Sequence, residues 1–134
     1  MAESVIPAVN FLQQKLAVSV SLVHIVEKNA PTEVHGQHHL ASENEAESYL
    51  KELAQKSFPK SAQVNIHVHT AEIENVAKSI TEHVEELDSD LIVMCTHGRG
   101  GMHDLLVGSI AQQVIALGAT PVFLMKPPPD ENIP

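Results

Sequence analysis

The sequence predicts an α/β protein built on an open parallel β-sheet with helices on both faces. Segments with helical spacing of apolar residues alternate with short runs rich in β-branched residues along the whole chain. Such alternation is typical of parallel strands joined by right-handed helical crossovers. A chain of 134 residues that is 43% hydrophobic is long enough to bury the core of one domain. We expect that domain over residues 1–126, followed by a flexible proline-rich tail over 127–134.

The first predicted helix covers residues 3–16, and the first predicted strand follows it. Pro7 lies in the first turns of the helix, where a missing amide costs little. Residues 18–26 are rich in β-branched side chains and therefore predict a largely buried strand. The apolar residues of the helix recur on one face, which we expect to be buried: Val5, Ile6, Val9, Leu12 and Leu16.

A loop and a capped helix are predicted next. Residues 27–40 contain a proline, a glycine and several polar side chains, which indicates a loop. Ser42 and Glu45 have the spacing of a capping box, which opens a helix. That helix ends before Phe58, because a residue that precedes proline avoids the helical conformation. Its predicted core side chains are Ala46, Tyr49, Leu50 and Leu53.

The second half of the chain alternates strands with helices. The first of its strands alternates apolar and polar residues, as a half-exposed strand near a sheet edge does, whereas the second is an apolar run expected in the interior. Gly118 is expected to end the last helix as its C-cap. The predicted strands cover residues 63–70, 90–95 and 120–125, and the predicted helices cover 72–87 and 109–117. The inward side chains of these helices are Ile73, Val76, Ile80, Val84 and Leu87, and then Ile110, Val114 and Leu117.

Composition and charge argue against several classes of protein. A formal charge of −9 opposes non-specific nucleic-acid binding, which needs a basic surface, and docking on anionic lipid. No apolar run approaches the ~20 residues of a membrane span, and the first residues lack the pattern of a signal peptide. A single cysteine, Cys95, allows no internal disulfide and suits a reducing compartment. We therefore expect a cytoplasmic protein without nucleic-acid or membrane partners.

The segment 91–109 predicts a binding site for an anionic ligand. An apolar strand ends at Cys95, a glycine-rich loop begins at Thr96, and Gly108 and Ser109 then open a helix. Glycine lets the backbone approach a phosphate closely, and the amides at a helix N-terminus are polarised toward it. In an open parallel sheet, ligands bind at the carboxyl ends of the strands. Nucleotide binding is therefore the first hypothesis.

The same segment resembles the universal stress protein family (UspA-like). The family signature is a glycine, two residues, a glycine, nine residues, a glycine and then serine or threonine, and Gly98, Gly108 and Ser109 have this spacing. The stretches 96–101 and 118–122 also look like that family, and weaker similarity covers almost the whole chain. The resemblance implies the fold of the adenine nucleotide alpha hydrolase-like proteins.

The resemblance also implies a nucleotide site, because one branch of the family binds ATP. Arg99 would add the cation that a phosphate chain needs in an acidic protein. We therefore expect ATP or AMP as the cofactor, with or without Mg²⁺. The positions that match the family's nucleotide contacts are Met94, His97, Gly98, Gly108, Ser109 and Ile110, together with Ile25 as a backbone contact to adenine.

Three features depart from the family pattern. Cys95 occupies the position of the first signature glycine, and Ala111 stands where many nucleotide binders have a hydroxyl. The family's first strand, which ends in an acidic nucleotide contact, is missing. In the family's sheet order, 3-2-1-4-5, that strand lies between strands 18–26 and 90–95. Buried strand edges need partners, so three alternatives are open: a truncated version of a longer protein, direct pairing of the two flanking strands in a four-stranded sheet, or a partner chain in the gap.

Two further functions stand beside nucleotide binding. Strand 120–125 leaves an apolar sheet edge, and the family's dimers associate through this strand, so we expect a homodimer through residues 120–126. The first alternative is therefore a nucleotide-free dimeric interaction protein in the stress response. The second is a weak ATP hydrolase or autokinase with Ser109 as the acceptor. We favour a protein that is not an enzyme.

Other reactive side chains have simpler explanations. No acid or nucleophile is placed beside His97 by the sequence, so we expect this histidine to order the loop. Cys95 could be a redox thiol near Arg99, but a small buried residue at a strand end is the simpler explanation. Two groups of histidines could bind zinc or nickel, but we expect no metal site because the chain has no cysteine pair. These groups are His35, His38 and His39, and His67 and His69.

Overall fold

The alternation of helices and strands that the sequence predicts is present in the structure. It is a computed structural model, and it describes residues 2–28, 33–34, 37–38, 42–72, 75–96 and 107–127. A 3₁₀ turn, Ala2–Val5, comes first and is named the N-terminal turn. In chain order the elements are α1 (Ile6–Lys15), β1 (Val20–Glu27), β2 (Glu33–Val34), β3 (Gln37–His38), α2 (Glu43–Ser57), β4 (Val64–Ala71), α3 (Val76–Glu86), β5 (Ile92–Cys95), α4 (Ser109–Leu117) and β6 (Val122–Met125).

Parallel pairing of the four longer strands confirms the predicted α/β class. β1 pairs with β4 along eight residues, and β5 pairs with β6 along four. The predicted loop over residues 27–40 needs a correction, because β2 and β3 form a short antiparallel pair within it. Strands of two residues have no periodicity that a sequence could reveal.

The two parallel pairs are separate ladders, since no hydrogen-bonded pairing joins β1 to β5 among the described residues. Direct pairing of these two strands, one of the three alternatives, is therefore wrong. The prediction that β5 is a buried strand also needs correction. Cys95 is its buried residue, and Leu91 just before it is exposed. A strand that pairs along only one edge has fewer neighbouring elements to cover its side chains. Truncation and a partner chain in the gap stay predictions.

Helices pack on the first strand pair and against each other. α2 packs on β4 and β1, and α3 packs on β1 and against α4. The close approach of α3 and α4 is visible at Gly118, where an added Cβ would lie 3.3 Å from Cγ2 of Thr81. Gly118 ends α4 as predicted, but its backbone is extended, with φ −102°, rather than left-handed. None of the described helices combines the length and the apolar character that crossing a lipid bilayer requires.

The start of α2 follows its sequence signal closely. The Ser42 hydroxyl accepts a hydrogen bond from the Glu45 amide at 3.1 Å, which confirms the predicted helix start. The next helix is shorter than predicted, because α3 begins at Val76 and ends at Glu86, one residue before Leu87. Ile73, a predicted inward residue, lies outside the described residues.

The core among the described residues is aliphatic except for Phe58. Two further predicted burial patterns are wrong. α1 contributes no buried residue, because its main neighbour is the N-terminal turn and its apolar face has little to pack against. Leu117 at the end of α4 is 59% exposed, because the helix turns Ala111 and Val114 inward instead. The buried apolar residues are Val20, Ile25, Val26, Ala46, Leu50, Phe58, Val76, Ala77, Val84, Cys95, Ala111 and Val114.

Candidate functional site

The carboxyl end of β5 is the described base of the predicted ligand loop. Thr96 follows β5, and its amide donates a hydrogen bond to the carbonyl of Met125 at 2.8 Å. The carbonyl of Thr96 accepts a second hydrogen bond from the amide of Gly108 at 2.5 Å. Thr96 is buried. It therefore joins the end of β5 to the end of β6 and to the start of α4, which the sequence motif alone did not indicate.

The N-terminus of α4 faces the same end of the strands. Gly108 is its N-cap and has no side chain that could cap the helix. The first intrahelical donor is Gln112, which bonds to the carbonyl of Gly108 at 3.0 Å. The amides of Ser109, Ile110 and Ala111 precede that donor, so they have no acceptor within the helix. Together with the helix dipole, these amides polarise the site toward an anion.

The amide of Gly108 itself is not available to a ligand. It donates to the carbonyl of Thr96, so the amides expected to bind an anion where Gly108 and Ser109 open the helix do not include that of Gly108. The amides of the next three residues have no acceptor within the helix. Their side chains differ in exposure: Ser109 is exposed and Ile110 is half-buried.

Val107, the residue before the cap, is held by a side chain from the helix. The amide nitrogen of Gln112, Nε2, donates to the carbonyl of Val107 at 2.6 Å. This bond and the bond from Gly108 to Thr96 hold the two polar groups of one peptide unit, between Val107 and Gly108, just before the helix. The described part of the loop is therefore held in place before any ligand binds, which lowers the entropy cost of binding.

The other predicted site residues fall in three places. Met94 lies in β5, half-buried and opposite Leu124 of β6, two residues before Thr96. Ile25 is buried in β1 opposite His69 of β4, in the other strand pair. The structure thus brings Met94 to the same strand end as the start of α4, but no ladder joins Ile25 to it. His97, Gly98 and Arg99 lie outside the described residues.

The N-terminal turn packs on β5, a contact that sequence analysis missed. Oγ of Ser4 and Sγ of Cys95 lie 3.0 Å apart, and either atom can donate. The hydroxyl of Tyr49 in α2 donates to the carboxylate of Glu3. No periodicity or motif connects residues so distant in the sequence. Cys95 is 8% exposed, which agrees with the simpler explanation of this cysteine as a small buried residue.

The histidines do not assemble a metal site in the described part of the chain, where no three potential ligands converge. His69 instead contacts His83 edge to face, with ring centroids 4.8 Å apart. Nδ1 of His83 lies 3.7 Å from a carboxylate oxygen of Glu86. His35 and His39, from the predicted histidine cluster, lie outside the described residues.

Comparisons with known proteins agree with the fold and the motif. A model of the Universal stress protein family matches residues 7–126. The chain is 37% identical to Universal stress protein MJ0531 of Methanocaldococcus jannaschii over 87 residues, 61% of this chain and 51% of that protein. It is 35% identical to Universal stress protein Sll1654 of Synechocystis sp. over 105 residues, 78% of this chain and 64% of that protein. The chain thus matches about half to two thirds of the length of these relatives.

A solved structure shares the architecture. The hypothetical protein MJ0577, studied as a test case for structure-based assignment of biochemical function, superposes with a TM-score of 0.73. The superposition covers 97% of this chain and 92% of that one, at 18% sequence identity. Similarity at this level of identity shows a common fold.

Proposed function

Because this chain belongs to the universal stress protein family, we propose that it is a cytoplasmic regulatory module that binds ATP or AMP at the carboxyl end of β5. The observation that carries this proposal is the hydrogen bond from Gly108 to Thr96. It holds the start of α4, whose first-turn amides have no acceptor within the helix, beside the end of a parallel strand. This is the arrangement that binds phosphate groups in open α/β sheets.

Each candidate residue has a defined role in this proposal. The amides at the start of α4 donate to phosphate oxygens, and the hydroxyl of Ser109 adds one more hydrogen bond. Arg99 supplies the cation, which offsets the repulsion of an anion by a chain with a formal charge of −9. Met94, His97 and Gly98 line the nucleotide, and the backbone of Ile25 contacts adenine.

Equilibrium titration with ATP and AMP tests this function. We expect saturable binding of one nucleotide per chain, with no release of phosphate from bound ATP. Ser109→Ala should weaken ATP binding about fivefold, because it removes one hydrogen bond. Ser61→Ala is the matched control, since Ser61 is exposed in the turn before β4. The proposal fails if nucleotide binding to the wild type does not saturate at about millimolar nucleotide. A dissociation constant of about 1 mM corresponds to a binding free energy of about −4 kcal/mol.

A second proposal concerns the homodimer, and the exposure of Phe123 favours it. This residue of β6 is 45% exposed, and β6 has β5 as its ladder partner among the described strands. An apolar strand edge of this kind pairs readily with another chain, so residues 120–126 form the proposed interface. If this surface carries the function, the nucleotide-free interaction protein is the correct alternative.

Sedimentation equilibrium measures the dimer directly. Phe123→Lys places a charge beside the strand edge and should convert dimers to monomers. Phe11→Lys is the control, because Phe11 is also exposed but lies on α1. A wild type that stays monomeric at all concentrations would exclude the interface, and so would a Phe123→Lys variant that dimerises normally.

A further inference from the structure

The N-terminal turn bridges the two strand pairs. Ser4 contacts Cys95 at the end of β5, and Glu3 accepts the hydrogen bond from Tyr49 in α2. Ser4 therefore attaches the turn to β5. Glu3 attaches it to α2, which packs on β4 and β1 of the other strand pair. These contacts span the two ladders that no backbone pairing joins among the described strands.

The bridge ends at the base of the proposed nucleotide loop. Cys95 directly precedes Thr96, the residue whose carbonyl holds the amide of Gly108. A displacement of Cys95 therefore moves the residue that fixes the start of α4. The bond from Tyr49 to Glu3 attaches the turn to α2, although Glu3 is exposed.

We propose that Ser4 and Tyr49 are positioning residues for the nucleotide site. Ser4 holds Cys95 directly, and Tyr49 holds the turn through Glu3. When the turn opens, Cys95 becomes accessible and the carbonyl of Thr96 loses its fixed position. A nucleotide that binds the ordered start of α4 favours the closed turn. The nucleotide part of this inference rests on the proposed function, whereas the closure of the turn over Cys95 does not.

The single cysteine of the chain makes the opening measurable. The rate at which a maleimide alkylates Cys95 reports how often the turn opens. Ser4→Ala removes the contact with Cys95, and Tyr49→Phe removes the hydrogen bond to Glu3. Each should raise this rate about fivefold over the slow wild type. Ser61→Ala, at an exposed serine outside the bridge, should not change it. Cooperative thermal unfolding of each variant shows that the rate is measured on folded protein.

Coupling to the nucleotide separates a positioning role from a merely structural one. Saturating ATP should slow the alkylation of the wild type. Saturating ATP should slow the alkylation of each variant by about the same factor, because the closed turn stays the main state and ATP still binds it. The double variant should be alkylated about 25-fold faster than the wild type, because one opening breaks both bonds and their contributions to the opening free energy add.

Two results would overturn the inference. In the first, the variants are alkylated at the wild-type rate, so that the turn does not cover Cys95. In the second, saturating ATP leaves the alkylation rates of the wild type and the variants unchanged, so that the turn does not position the loop. If the wild type binds no ATP, the proposed function and the positioning role both fail, and the alkylation rates still decide whether Ser4 and Tyr49 close the turn.

Discussion

The carbonyl oxygen of Thr96 lies 2.5 Å from the amide nitrogen of Gly108, so one hydrogen bond joins the end of β5 to the N-cap of α4. Thr96 is buried, and a buried carbonyl that loses a partner destabilises the folded state. This bond is therefore expected to contribute both to the stability of the domain and to the geometry of the nucleotide site.

Proline at position 108 removes this bond and places its Cδ where the amide hydrogen pointed at the carbonyl of Thr96. The fixed φ of proline near −65° equals the φ of −65° at Gly108, so the loss comes from the missing N–H and from the displaced carbonyl. We expect Gly108→Pro to lower the free energy of unfolding by more than about 1 kcal/mol and to weaken ATP binding. Urea denaturation and nucleotide titration measure the two effects. Unchanged stability would show that the bond contributes nothing.

Serine at the same position should separate stability from binding. Gly108→Ser keeps the amide, and a serine N-cap accepts from a first-turn amide, which stabilises helices. The same hydroxyl competes with a phosphate for that amide. We expect stability equal to or above the wild type, with weaker ATP binding. If ATP binds the serine variant as tightly as the wild type, the first-turn amides are not the phosphate donors.

The cap of α2 gives a prediction that does not depend on any ligand. The Ser42 hydroxyl accepts from the Glu45 amide at 3.1 Å, so Ser42→Ala should lower the free energy of unfolding by about 1 kcal/mol. Ser42→Asp retains an acceptor and should stay close to the wild type. Urea denaturation of the three proteins measures the difference. Equal stabilities of the alanine variant and the wild type would contradict the cap.

Neighbouring residues of α4 test which of its faces is buried. Val114 is 1% exposed and Ile115 is 49% exposed. Val114→Ala should cost about 2 kcal/mol of stability, because it leaves a cavity in the core, whereas Ile115→Ala should cost much less. Denaturation midpoints compare the two directly. A larger loss at Ile115 would mean that α4 presents a different face to the sheet.

The contact between α3 and α4 leaves little room at Gly118. A Cβ there would lie 3.3 Å from Cγ2 of Thr81, whose hydroxyl is held by a 2.8 Å hydrogen bond to the carbonyl of Lys78. Gly118→Ala should therefore lower the thermal midpoint, by an amount equivalent to about 1 kcal/mol of overpacking. Thr81→Ser removes the obstructing methyl and should restore part of the loss in the double variant. An unchanged midpoint in Gly118→Ala would show that the two helices can separate freely.

Local signals in the sequence predicted the bounds of those elements that depend on neighbouring residues more than on distant contacts. The capping box predicted the start of α2 at Ser42, and the small residues Gly108 and Gly118 enclose a helix that covers the predicted residues, Ser109–Leu117. The alternation of strands and helices likewise predicted parallel pairing. These features depend on neighbouring residues. A hydroxyl caps an amide three residues along the chain, and a glycine allows the backbone to depart from helical geometry.

Tertiary structure decided which apolar faces are covered and what holds the loop. Periodicity places Leu117 on a helix and apolar residues along β5, but burial depends on the elements that pack against them. The separation of the β1–β4 and β5–β6 ladders leaves β5 and α1 more exposed than their patterns predict. The bonds from Tyr49 to Glu3 and from Gly108 to Thr96 join residues that are brought together only when the chain folds, because a hydrogen bond requires proximity that no local pattern records.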